Sequence, residues 1–323
     1  SILSYFDNRI AAEIRLPEAI DRKLLCPFQY FGVTDTIDLE NIRWKNGGYD
    51  RTELSKVYTL SGEIAKRRAD QIIVSLLKYA TDIDLVKGLG FCVSVEHARF
   101  MSEYFNLHGI PAMHLTGDSP DELRNSAKEK LVSGEIKIIF VVDIYNEGVD
   151  IPEVNTVLFL RPTESLTIFL QQLGRGLRLS SNKECLTVLD FIGQANKKYN
   201  FENKFAALLS DANKGVEKEI KNGFVSLPKG CYIQLEKKAA SYILNNIKAS
   251  YGNTAALIAR AASFTNDTGL DLTLSNFLNY HRLDPRQLYK FISFSRLCAR
   301  AEARTDFNEP AEEILSKALL RLS

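Results

Sequence analysis

The feature that most constrains this chain is an uninterrupted apolar run, Ile138-Ile139-Phe140-Val141-Val142, directly behind Lys137. A strand with one face in water alternates polar and apolar residues. A run without alternation belongs to a strand covered on both faces, the usual condition of a parallel sheet. Thr156-Val157-Leu158-Phe159-Leu160 and Leu186-Thr187-Val188-Leu189-Asp190 repeat the pattern, and Gly90-Phe91-Cys92-Val93-Ser94 and Ala112-Met113-His114-Leu115 are shorter versions. The segments between them have helical spacing. Val95–Leu107 places Ala98, Met101 and Phe105 on one face behind Ser94, a natural cap. A second helix is expected over about 120–132, with Pro120 in its first turn, and a third over 166–179. Strands alternating with helices imply a parallel sheet joined by right-handed crossovers, with function collecting at the carboxyl ends of the strands.

The flanks read differently. Before the alternating segment, Glu18–Leu24 looks helical, Phe28–Val33 looks like a strand and Ile64–Ala80 like an amphipathic helix. Lys66-Arg67-Arg68 reads as the solvated start of that helix. After it come a charged stretch, Lys214–Lys221, a turn at Leu227-Pro228-Lys229-Gly230, and helical patterns over 236–251, 254–263, 274–279, 285–304 and 309–322. The expected organisation is therefore a connector over 1–84, an α/β sheet domain over 85–212 and a smaller, mainly helical domain over 213–323.

Composition narrows the function classes. Hydrophobic residues make up 45% and charged residues 25% of the 323 residues, ample for a packed core. No apolar run is long enough to span a bilayer, so no membrane partner is expected. The start, Ser1-Ile2-Leu3-Ser4-Tyr5-Phe6, has neither a signal-peptide pattern nor an initiator Met, which suggests a fragment of a longer, cytoplasmic protein. The five cysteines are scattered without a CxxC pair, and His97, His108 and His114 share no ligand spacing, so no metal site is expected. The net charge of +1 neither points to nucleic acid nor excludes a local basic track.

Gln171-Gln172-Leu173-Gly174-Arg175-Gly176-Leu177-Arg178 is the densest concentration of chemistry. Read as Q-x-x-G-R-x-x-R, it puts Gln171, Arg175 and Arg178 at i, i+4 and i+7, along one helical stripe. Each glycine inside a helix costs roughly 1 kcal/mol, a cost tolerated where something must approach the backbone closely. Two permanent cations and an amide with small neighbours suit a polyphosphate. One strand earlier, Asp143-Ile144-Tyr145-Asn146-Glu147-Gly148-Val149-Asp150 leaves a buried strand at its carboxyl end, where Gly148 would let a ligand come near.

In this order the two segments resemble motifs V and VI of superfamily 2 helicases. Phe91-Cys92-Val93-Ser94 resembles motif IV. His114-Leu115-Thr116-Gly117-Asp118, with Arg124 and Gly134 downstream, resembles the stretch between motifs IV and V, and Arg161-Pro162-Thr163-Glu164-Ser165 the link into motif VI. Asp190-Phe191-Ile192-Gly193 and Gly223–Cys231 are similar to bacterial DEAD/DEAH-type helicases of the restriction-subunit kind, which carry a C-terminal domain of uncharacterised function.

The resemblance implies a RecA-like second motor lobe of an ATP-dependent helicase or translocase. Arg178 would be the arginine finger, Arg175 its phosphate-facing neighbour, and Gln171 would order the γ-phosphate or attacking water. Gly148, Asp150 and Gly174 would face the nucleotide, and Ser94, Thr116 and Gly117 the nucleic-acid backbone, with DNA favoured over RNA. Val142 stands where many relatives carry Thr. No G-x-x-x-x-G-K-[ST] run and no acidic magnesium box occurs in the chain. ATP and Mg²⁺ would therefore be held mainly by a first RecA-like lobe of the same protein, and the isolated chain would be inactive. The alternatives are an RNA-remodelling ATPase lobe and a non-catalytic adaptor that binds nucleic acid or protein.

Overall fold

The computed structural model describes residues 14–45, 48–59, 62–142, 151–211, 215–251, 254–281, 283 and 285–322. The chain opens with helix α1 (Leu16–Asp21) and strand β1 (Phe28–Asp38), followed by a small hairpin, β2 (Trp44–Lys45) and β3 (Gly48–Tyr49), and helices α2 (Arg51–Thr59) and α3 (Glu63–Tyr79). The alternating segment comprises β4 (Gly88–Cys92), α4 (Val95–Leu107), β5 (Ala112–Leu115), α5 (Asp121–Ser133), β6 (Ile138–Val142), β7 (Thr156–Phe159), α6 (Leu166–Gly176) and β8 (Leu186–Gln194). Then come α7 (Phe201–Ala206), α8 (Val216–Asn222), β9 (Tyr232–Leu235) and α9 (Lys237–Tyr251). Five more helices close the chain: α10 (Thr254–Thr268), α11 (Leu274–His281), α12 (Pro285–Tyr289), α13 (Phe294–Arg300) and α14 (Glu312–Leu322).

Seven strands form one parallel sheet in the order β5-β6-β4-β7-β8-β1-β9. The apolar runs occupy its middle: every residue of β4 and β7 is buried, as is all of β6 except Val142 at its tip. The period of two divides each run between two cores. Ile139 and Val141 of β6 join Phe91, Val157, Phe159 and Leu173 on one face. Ile138 and Phe140 join Ile72, Leu76, Met101 and Phe105 of α3 and α4 on the other. The expected parallel α/β sheet with flanking helices and a helical C-terminal part is what the chain forms. The sheet also takes strands from either side of 85–212, because β1 pairs with β8 from Phe28↔Leu186 onward and with β9 from Gln29↔Tyr232.

Two buried ionic centres fasten the outer strands. Below β8, Asp190 accepts from the Tyr30 hydroxyl of β1 and from the Lys204 ammonium of α7, which also lies 4.8 Å over the Phe169 ring of α6. At the other end of β1, Arg68 of α3 grips Asp35 with Nε 3.0 Å and Nη2 2.8 Å from Oδ2, and Nη2 also donates to the Leu160 carbonyl at 2.9 Å. The basic triplet is thus solvated only in part: Lys66 and Arg67 are exposed, but Arg68 is buried. Helical period turns it inward with Ala69, Ile72 and Leu76.

The helix expected over 285–304 is instead two, α12 and α13. Ser293 accepts from the Arg296 amide at 3.2 Å and so starts α13 afresh. Asp50 does the same for α2, accepting from Thr52 and Glu53 amides at 3.1 and 3.2 Å.

Candidate functional site

Helix α6 begins where Ser165 accepts from the Ile168 amide at 3.3 Å. Phe169 and Leu173 anchor one face in the core, which leaves Gln171 exposed and Arg175 half-buried on the other. The helix stops at Gly176, where the Leu177 amide turns back to the Gly174 carbonyl at 3.2 Å. Arg178 is exposed and lies beyond this end, so the expected three-residue stripe holds only for Gln171 and Arg175. The two glycines differ. A Cβ on Gly176 would lie 2.4 Å from Cδ1 of buried Leu186, so that glycine admits the first residue of β8. A Cβ on Gly174 would meet nothing within 4 Å. Internal packing explains one glycine, and the other leaves an open stretch of helix backbone beside Arg175.

The placement of this turn corrects a second expectation. α6 is the return crossover from β7 to β8, so its last turn must reach the amino ends of the strands. The contacts bear this out: the Cys26 amide, just before β1, donates to the Leu177 carbonyl at 2.8 Å, and Lys183 Nζ bridges the carbonyls of Gly176 and Val154, the latter just before β7. Arg175 and Arg178 therefore do not lie with the carboxyl-end loops. The 11 residues of α6, at about 1.5 Å each, set them about 16 Å away.

Ser94, Thr116 and Gly117 are at the carboxyl ends, after β4 and β5. Ser94 caps α4 as its spacing implied, with Oγ accepting from the His97 amide at 3.2 Å. The Thr116 loop is held from both sides: Ser119 Oγ accepts the Thr116 amide at 2.9 Å, and Arg124 donates to the carbonyls of Ser119 at 2.9 Å and Gly117 at 2.7 Å. Gly134, downstream, ends α5 in the left-handed region, at φ 83°. On the other side of β4 from the Thr116 loop lies the Arg68–Asp35 centre, with Tyr58 4.7 Å under the guanidinium and His97 beside it. Burial, and then the neighbouring Arg68 charge, hold the His97 imidazole well below its usual range and so neutral. Glu164, in the link into α6, accepts from the Tyr49 amide at 3.3 Å and so ties the β2–β3 hairpin to the same end of the sheet. Gly148 and Asp150 lie outside the described residues.

Residues 68–180 match the family model for the helicase conserved C-terminal domain. That stretch of the chain is a helicase C-terminal domain, similar to the second lobe of superfamily 2 helicases. The chain is 27% identical over 60% of its length to the Saccharomyces cerevisiae protein named "Putative ATP-dependent helicase IRC3", covering 27% of that protein. It is 28% identical over 52% of its length to a 51.5 kDa protein of a Lactococcus phage, covering 35% of it. It is 29% identical over 36% of its length to the type I restriction enzyme EcoKI endonuclease subunit of Escherichia coli, covering 11% of it. The lobe thus spans between 11% and 35% of the length of these relatives.

The turn at 174–178 carries two guanidinium groups, the side-chain type that pairs with phosphate. Among the described residues no group of three or more His, Cys, Asp or Glu side chains could hold a metal ion. No described helix is long and apolar enough to cross a membrane. Sequence reading missed the Arg68–Asp35 centre and Lys183. Both depend on partners 29 to 92 residues away in the chain, which no local pattern records: Arg68 bonds Asp35 and Leu160, and Lys183 bonds Pro152 and Val154.

Proposed function

We propose that this chain is the second motor lobe of an ATP-dependent DNA helicase or translocase acting in the cytoplasm, and that it completes a nucleotide site opened by a first RecA-like lobe of the same protein. The observation that carries this reading is the exposed Arg178 and half-buried Arg175 beside the open Gly174 backbone. ATP with its Mg²⁺, held mainly by the first lobe, supplies the phosphoryl group whose hydrolysis drives the cycle. Arg178 acts as the arginine finger, placing fixed positive charge where negative charge develops, a contribution worth about 10³–10⁵ in rate. Arg175 neutralises the phosphate beside it, and Gln171 orients the γ-phosphate or the water. Gly148 and Asp150 meet the ribose or couple the lobes.

Ser94, Thr116 and Gly117 take the strand backbone at the other end of the sheet, where helix starts and loop amides suit phosphate. The separation of the two sites by the length of α6 supports this division of labour. Hydrolysis and strand grip then lie at opposite ends of one sheet, so closure at one displaces the other. The resemblance of the Asp190–Gly193 and Gly223–Cys231 stretches to the restriction-subunit kind of helicase, and the restriction-enzyme relative, support the choice of DNA, against which the relatives named as RNA helicases stand.

The test is Arg178→Ala in the full-length protein. Nucleic-acid-stimulated ATP hydrolysis falls by at least about 10³-fold while ATP binding persists, and DNA stimulates the wild type better than RNA of the same sequence. The isolated chain hydrolyses no ATP. Wild-type turnover in Arg178→Ala removes the finger assignment, and turnover by the pure isolated chain removes the shared-site reading.

A further inference from the structure

Lys183 stands in the turn between α6 and β8, apart from the residues on which the proposed function rests. Its ammonium donates to the carbonyls of Pro152 at 2.6 Å, Val154 at 3.0 Å and Gly176 at 3.1 Å. An ammonium has three N–H donors, so peptide oxygens take up its full capacity. The Gly176 carbonyl is one of those that a helix end leaves without an intrahelical partner, and it carries the negative end of the helix dipole. Pro152 and Val154 belong to the segment leading from the motif V stretch into β7. Lys183 thus joins, at a single point, the end of α6 and the run that follows motif V.

The neighbourhood makes that junction important. Arg178 lies past the last helical residue, so the helix ladder does not fix it. Two contacts just before it, Leu177 carbonyl to the Cys26 amide at 2.8 Å and Gly176 carbonyl to Lys183, hold the backbone from which it projects. Leu186 packs against Gly176 from the β8 side and leaves that turn no room to shift inward.

We infer that Lys183 is a positioning residue for ATP hydrolysis: by locking the end of α6 to the Pro152–Val154 segment, it sets the geometry in which Arg175 and Arg178 meet the terminal phosphate. The inference rests on the reading of that turn as nucleotide-facing. A displacement on the order of 1 Å at such a turn is enough to cost about 10²-fold in turnover. Nucleotide affinity, supplied mainly by the first lobe, moves little.

The experiment measures ATP hydrolysis by the full-length protein against ATP concentration, at saturating single-stranded DNA, with thermal midpoints taken in parallel. Lys183→Met is expected to lower kcat by about 10- to 10²-fold with KM for ATP within about threefold. Lys183→Arg, which keeps the charge and several donors, should recover most of the loss. Lys183→Gln takes the place of the methionine variant if the latter does not fold at the assay temperature. Arg178→Ala is assayed alongside. If it loses turnover while the uncharged Lys183 variants keep wild-type kcat, the Lys183 inference is wrong and the finger assignment stands. If Arg178→Ala itself keeps turnover, the underlying reading fails. A loss in the uncharged variants that follows their loss of folded protein, or that Lys183→Arg does not relieve, also overturns the positioning role.

Discussion

Alanine at the two glycines of α6 should change stability in opposite directions, although they are two residues apart on one helix. At Gly174 an added Cβ meets no atom within 4 Å. The substitution therefore gains only the helix propensity of alanine and the reduced freedom of the unfolded chain, about 0.5–1 kcal/mol. At Gly176 the same methyl would sit 2.4 and 2.8 Å from the two Cδ atoms of Leu186, which is fully buried and paired with Phe28 at the start of β8. The leucine cannot swing aside without opening a void, so overpacking costs about 1–3 kcal/mol. The propensity gain offsets less than about 1 kcal/mol of this at a helix terminus. The variants should thus differ by about 2 kcal/mol, read as urea unfolding midpoints of the purified chain at constant m. In the full-length protein the more stable variant, Gly174→Ala, should be the one that loses nucleic-acid-stimulated hydrolysis, because its methyl occupies the space offered to the nucleotide. Equal or reversed stabilities would refute the packing argument. A stabilised Gly174→Ala with wild-type turnover would refute the assignment of that open backbone to nucleotide.

Two further predictions concern buried ionisable groups. Asp35→Asn leaves the buried Arg68 guanidinium uncompensated and should cost about 3–5 kcal/mol, measurable as a shift in denaturant midpoint; a cost below about 1 kcal/mol would mean that water reaches the pair. Stability should also fall as pH drops from 7 to 5. Burial holds the imidazoles of His97 and His281 low, the latter down to about 3, so only the unfolded chain takes up their protons as pH passes below about 6.5. Each histidine contributes about 2 kcal/mol of loss over that range, and His97→Gln should narrow the difference between the two pH values by that amount; an unchanged difference would contradict a neutral buried His97.

Much of the lobe was legible because its signals are local. The α4 and β5 spans follow from apolar spacing bounded by a cap and a turn, and Ser94 caps α4 as its position implies. The outer strands were harder to read. β8 runs on past Asp190 to Gln194 because Phe191 and Ile192 pair with Val33 and Thr34 of β1. β9 has one buried residue, Ile233, and becomes a strand only through its neighbour. The candidate site can be read in residue type and not in geometry. The residue types at 171–178 carry the expectation of a phosphate partner, which the Arg178→Ala measurement tests. The end of the helix at Gly176, and hence the position of Arg178 outside it, is decided by Leu186, Cys26 and Lys183, which approach from other parts of the chain.

The insertion of β1 between β8 and β9 also determines how this unit could be cut. The family-matched stretch, 68–180, contains β4, β5, β6 and β7 but none of β1, β8 and β9. Excised at those limits, it would bare the apolar flank of β7 along Val157 and Phe159, an open hydrogen-bonding edge of the kind that recruits other chains into aggregates. A transplantable module has to begin before Phe28 and continue past Leu235.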